Sequence, residues 1–140
     1  MTFTPSARDF HTGTAVGRAR ESTGRMSYLA GLAAEDSVAV EYSARGYVLL
    51  ETRWRGKRGE IDLIFADGAG VVFVEVKKSR DFDTALSHIR PAQVQRLFAT
   101  ADEYVGTRPL GSLTEMRFDV ALMDAHGQVS VLENAFCGWI

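Results

Sequence analysis

With 140 residues, 46% of them hydrophobic, the chain suits a single domain built around one core. Its formal charge of −2 excludes a globally basic nucleic-acid binder, so any positive surface must be local. The single cysteine, Cys137, excludes an internal disulfide framework and fits a reducing compartment.

Residues 1–26 are rich in Thr, Ser, Gly and Arg, with no sustained hydrophobic period. They read as a flexible tail, and Arg8, Arg18, Arg20 and Arg25 as a solvated arm. The stretch lacks the apolar core of a secretory signal, and no apolar run nears the ~18 residues of a membrane span. The expected location is therefore the cytoplasm, with no membrane partner. His11, His88 and His126 are scattered without metal-ligand spacing and read as surface residues.

The folded domain is expected over 27–140. From Ser27 to about Ala44 the pattern is helical. At about 100° per residue, Tyr28, Leu32, Ala39 and Tyr42 share one face, and Gly46 stops the helix. "YVLLETRW" is a strand and "RGKRG" a turn. "EIDLIFA" and "GVVFVEVKK" are two further strands joined by "DGAG". "RPAQVQRLFATADEYVG" is a second long helix, with Val94, Leu97, Phe98, Ala101 and Val105 along one side. "MRFDVALMD" and "QVSVLENAF" are two later strands. The helix between the third and fourth strands allows these two to lie parallel. The expected fold is a three-layer-like α/β sandwich, a central mixed β-sheet flanked by helices.

The charges within the apolar strands point to chemistry. If Asp67 and Gly70 flank a two-residue turn, Asp62 falls directly opposite Glu75, with Cβ atoms roughly 5 Å apart. Lys77, two residues beyond Glu75, leaves the same face. Glu35 lies within the apolar arc of the first helix, whereas Glu41 points away. An acid on a packed face needs a partner or a metal. Two opposed carboxylates and a nearby third make the oxygen-rich site that Mg²⁺ or Mn²⁺ prefers. A lysine beside them can orient a water or stabilise charge on a phosphate. The bland alternative is a solvated Glu75–Lys77 pair with Asp62 bonded to an arginine. Glu35 on the inner arc tips the balance towards a site.

Local positive charge lies next to these acids. Arg53, Arg55, Lys57 and Arg58 surround Trp54 ahead of the Asp62 strand, and Lys78 and Arg80 follow Lys77. Such residues contact phosphates without reading bases. Trp54 suits either stacking on a base or packing.

Asp62, Glu75-Val76-Lys77 and Glu35 together resemble the PD-(D/E)XK nuclease core. "GLAAEDSVAVEYSARGYVLLETRWRGKRGEIDLIF" followed by "VVFVEVKKS" resembles the bacterial YraN family of endonuclease-like proteins. The resemblance runs from about Gly31 to Asp119. It implies a restriction-endonuclease-like core related to Holliday-junction resolvases. It also implies Mg²⁺- or Mn²⁺-dependent hydrolysis of phosphodiester bonds, with a homodimer among the possible assemblies. Asp62 and Glu75 would hold the metal with the Val76 carbonyl, Lys77 would position the attacking water, and Glu35 would complete the site directly or through water. Gln93 stands where the family usually has a lysine; it can orient water or phosphate but supplies no charge. "FDT" after the third strand replaces a more usual glycine-containing loop. The expected function is a metal-dependent nuclease acting on DNA, including branched or structured DNA in repair or recombination. The alternatives are a non-catalytic nucleic-acid-binding module on the same fold and an acid-rich domain that binds a protein partner.

Overall fold

The computed structural model of the protein describes residues 31–138; the expected tail at 1–26, with Tyr28 and His11, lies outside them. Helix α1 runs through residues 31–44. Its end is a Schellman motif: Gly46 takes φ +97°, its N–H bonds the Ser43 carbonyl at 3.1 Å, and Tyr47 N–H bonds the Tyr42 carbonyl at 3.1 Å. Glycine is needed there because other residues pay to adopt a positive φ.

Strands β1 (Val48–Arg55), β2 (Glu60–Asp67) and β3 (Gly70–Lys78) follow, then helices α2 (Phe82–Ser87) and α3 (Pro91–Val105). A short 3₁₀ turn (Gly111–Leu113) leads to β4 (Met116–Met123) and β5 (Val129–Leu132). The strands form one five-stranded sheet in sequence order. β3 and β4 are parallel, connected through α2 and α3, and the other neighbours are antiparallel. The mixed sheet and the parallel β3–β4 pair agree with the sequence.

The sheet is covered on both faces, which is why β3 reads "VVFV" without alternation. Val38, Ala39 and Tyr42 of α1 pack on Leu63, Phe65, Val72, Val74 and Ala121. On the opposite face Val94, Leu97, Ala101 and Tyr104 of α3 meet Ile64, Val71, Phe73, Phe118 and Val120. Two apolar layers with the sheet between them make an α/β sandwich. Trp54 belongs to the second layer, edge-on to Tyr104 with ring centroids 5.1 Å apart. Its surface serves packing.

The β2–β3 hairpin has the expected register, from Asp67 opposite Gly70 to Leu63 opposite Val74. Gly68, with φ +61°, supplies the positive φ that a two-residue hairpin turn demands at its first position.

Two expectations about elements are corrected. "FDT" is the start of α2, capped by Asp81, whose Oδ1 accepts from Thr84 N–H at 2.7 Å. The last strand is shorter than "QVSVLENAF": β5 stops at Leu132. Asn134 then takes φ +53° and gives its N–H to buried Asp119, which turns Phe136 into the core. Among the described residues, no helix is long and apolar enough to cross a membrane.

Candidate two-carboxylate site and basic rim

The site lies where β2 and β3 part. One more step of the hairpin register would set Asp62 against Glu75, but the paired backbone ends at Leu63 and Val74. Asp62 Oδ2 instead accepts from Val76 N–H at 2.9 Å, so a side chain takes the place of a strand carbonyl. This contact holds the Asp62 carboxyl against β3, beside Glu75.

Burial pushes the Asp62 pKa up to about 8, helped by its hydrogen bond to Glu75 and by that residue's charge. Val76 N–H and the Lys77 ammonium pull the other way without prevailing. Burial and Glu75 both favour the protonated form of Asp62.

Glu75 Oε2 is approached from two further sides. Gln93, in the first turn of α3, donates through Nε2 at 3.1 Å, and Lys77 Nζ stands 3.7 Å away. Pro91 opens α3, so Gln93 reaches Glu75 from the helix's first turn. The structure thus brings Asp62, Glu75, Val76, Lys77 and Gln93 together from three elements.

Glu35 is close to this group but engaged elsewhere. Arg53 grips it with both arms of its guanidinium, Nε to Oε1 and Nη2 to Oε2, each at 3.1 Å. Burial raises the Glu35 pKa, the Arg53 hydrogen bond opposes this, and the charges of Asp62 and Glu60 add to the rise. Glu35 therefore lies within electrostatic reach of Asp62 while its oxygens serve Arg53. Among the described residues, no three His, Cys, Asp or Glu side chains gather into a ready metal site. The donors that do converge are the two carboxyls, and Mg²⁺ binds commonly through one or two carboxylates plus water and phosphate oxygens. That chemistry fits the Asp62–Glu75 pair, two acids set side by side where a cation would offset their repulsion.

The basic residues divide. The turn after β1 and the end of β3 lie at the same end of the sheet as the carboxylates, because β2 and β3 are antiparallel. Lys57, Arg58 and Lys78 are exposed there. Arg55 pairs with Glu60 at 3.0 Å and Arg80 with Asp81 at 3.2 Å, but both arginine side chains remain at least 80% exposed. Such surface pairs are weak enough to yield to a phosphate. Glu103 on α3 anchors the turn by accepting from Lys57 N–H at 2.9 Å, and a Cβ on Gly56 would come within 2.5 Å of that carboxylate. Arg53 does not join the rim; it turns inward to Glu35.

A second charged cluster was not singled out by the sequence reading. Asp119 on β4 is fully buried and accepts from Tyr42 Oη, Arg117 and Asn134 N–H. The signal was "RFD" at the start of β4, two charges at alternate positions of a strand that otherwise reads as core. His88 and His126 are exposed, as is Cys137.

Fold and site together define an α/β-sandwich protein with paired carboxylates, a lysine and a glutamine at the point where two strands separate. The chain belongs to the uncharacterised protein family UPF0102, whose model matches residues 34–123 and so spans every residue of this site. The YraN family expected from the sequence is this family. The UPF0102 protein of Roseobacter denitrificans is 56% identical over 117 residues, covering 84% of this chain and 91% of that protein. That of Ruegeria pomeroyi is 52% identical over 119 residues, with 85% and 97% covered. A relative from Dinoroseobacter shibae is 40% identical over 134 residues, with 96% and 98% covered.

Proposed function

We propose that the protein is a Mg²⁺- or Mn²⁺-dependent nuclease-like phosphodiesterase acting on nucleic acid, DNA in the first instance. The observation that carries this reading is the Asp62–Glu75 pair, with Asp62 anchored by Val76 N–H and Glu75 flanked by Lys77 and Gln93. Asp62 and Glu75 would hold the cation, which supplies charge stabilisation at phosphorus when bound. Lys77 lies where it can orient a water and hold positive charge against a phosphate oxygen. Gln93 fixes the Glu75 carboxylate in position through a donor that carries no charge. The exposed Arg55, Lys57, Arg58, Lys78 and Arg80 would neutralise phosphates on either side.

The test is incubation with labelled linear, flapped and four-way DNAs in Mg²⁺ and in Mn²⁺. Cleavage is expected, and EDTA should stop it. Asp62→Asn, Glu75→Gln and Lys77→Ala should each reduce it at least about a thousandfold. If all three variants cut like the parent, the catalytic site lies elsewhere. DNA bound but left uncut in both metals would favour a non-catalytic binding module on the same scaffold.

The rim makes a separate prediction. Replacing Arg55 and Lys57 with Ala should weaken binding to all sequences about equally and flatten the salt dependence by roughly two units, one per lost phosphate contact. Fluorescence anisotropy of a labelled duplex across a salt series measures both quantities. Unchanged affinity and slope would assign the turn to solvent.

A further inference from the structure

Arg53 and Asp62 lie across from each other between β1 and β2. Thr52 pairs with Leu63 and Trp54 with Ile61, so both fall in the gap between these pairs. At this point the β1 backbone takes φ +50° at Arg53, a conformation that a long side chain adopts at a cost. Glycine or asparagine would meet the same backbone demand more easily. What Arg53 supplies there is its guanidinium, which occupies both oxygens of Glu35. The Glu35 side chain is only 14% exposed and Arg53 is 34% exposed, so the pair is sheltered yet open on the arginine side. Glu35 is the nearby acid that stands outside the carboxylate pair and whose pKa Asp62 helps to raise.

Resting on the reading of Asp62 and Glu75 as a cation site, we infer that Arg53 is a positioning residue that withholds Glu35 from that site until an anion draws the guanidinium away. A phosphate reaching the open side of Arg53 competes with Glu35 for the same forked donor, since guanidinium binds carboxylate and phosphate with equal geometric ease. Once released, the Glu35 carboxylate is left beside Asp62 with its counter-charge gone, and a divalent cation between the acids is the nearest replacement. Phosphate binding and completion of the cation site are thereby coupled, and the coupling is reciprocal.

The coupling is measurable without turnover, by calorimetric titration of Mn²⁺ into the full-length protein in the absence of nucleic acid. Four proteins are compared: the parent, Glu35→Gln, Arg53→Asn and the double variant. Asparagine is chosen because it accepts the positive φ, so the guanidinium is removed without adding backbone strain. In the parent background Glu35→Gln should lower the Mn²⁺ affinity by only about twofold, the through-space effect of one lost charge, because Glu35 is not yet a ligand. Arg53→Asn should raise the affinity roughly tenfold, the scale expected of a recruited supporting group. Loss of a positive charge near the site would raise affinity in both backgrounds. Only the part that disappears in the double variant belongs to Glu35.

Equal gains with and without Glu35 would overturn the inference. So would a Glu35→Gln protein that binds Mn²⁺ tenfold more weakly than the parent, for Glu35 would then already be a ligand. That second comparison stands even if Arg53→Asn does not fold. A parent without any Mn²⁺ isotherm would instead remove the cation site itself, and the inference with it.

Discussion

Asp62→Asn should make the metal-free protein more stable at alkaline pH than its parent, the reverse of what removing a buried, hydrogen-bonded carboxylate usually does. The Asp62 pKa is raised in the folded state, to about 8 from an ordinary 3.8, first by burial and then by Glu75. The folded protein therefore binds more protons than the unfolded chain between these values, so stability falls as pH rises across that window. The favourable contribution is complete below the unfolded pKa and gone above about 8. Asparagine has the same shape and can still accept from Val76 N–H and donate to Glu75, but has no proton to lose. The variant should gain at least about 1 kcal/mol over the parent at pH 9 and little at pH 4. Mn²⁺ should narrow that difference. At tenfold over its Kd it stabilises the parent by RT ln(1 + [L]/Kd), about 1.4 kcal/mol, and the variant should lose most of that gain. Thermal melts at the two pH values, with and without Mn²⁺, check both signs. Acids held by arginine partners instead would give a destabilised variant and no metal-dependent shift.

That Asp62 and Glu75 meet was legible in the sequence because a two-residue turn fixes hairpin register, and "DGAG" announces such a turn. The helix face carrying Glu35 was legible for a similar reason: one period governs all of α1. What the sequence could not disclose was the partner of each charge. Arg53 belongs by position to a basic cluster, and nothing local says that its backbone turns to φ +50° and sends its side chain inward. The Schellman stop at Gly46 and the apolar face of α3 follow from local rules. The folding back of Asn134 does not, because its cause is Asp119, fifteen residues away. Local periodicity thus placed the elements, while long-range satisfaction of buried charge determined where β5 ended and which way Arg53 pointed.

Asp119→Ala should have the largest effect on stability, about 3–5 kcal/mol, the range for removing one partner of a buried charged pair. The Asp119 carboxylate is fully buried and has four donors. Arg117 contributes Nε and Nη2, each at 2.9 Å, Tyr42 Oη lies at 2.6 Å and Asn134 N–H at 3.0 Å. Each donor comes with its own surroundings. Tyr42 is stacked on Phe65, with its phenol pKa raised by burial and then by the bond to Asp119. Arg117 also reaches Tyr47 Oη at 2.9 Å and Glu133 at 3.2 Å. Truncation would leave the buried Tyr42 hydroxyl without its acceptor and the half-buried Arg117 guanidinium with only Tyr47 and Glu133. Tyr42→Phe removes one donor and leaves the charge paired, so it should cost only about 1 kcal/mol. Asp119→Asn keeps the shape but faces Arg117 with a neutral amide, and should fall between the two. Urea melts of the three variants give the order directly, and an Asp119→Ala cost below about 1 kcal/mol would sink the account. The consequence reaches the carboxylate site through α1. Tyr42 lies two turns along the same helix from Glu35, so the bond to Asp119 helps fix the helix that presents Glu35 to Arg53. Asp119→Ala should therefore also loosen the Glu35–Arg53 pair, whereas a purely local role for Asp119 would leave Mn²⁺ affinity at its parental value.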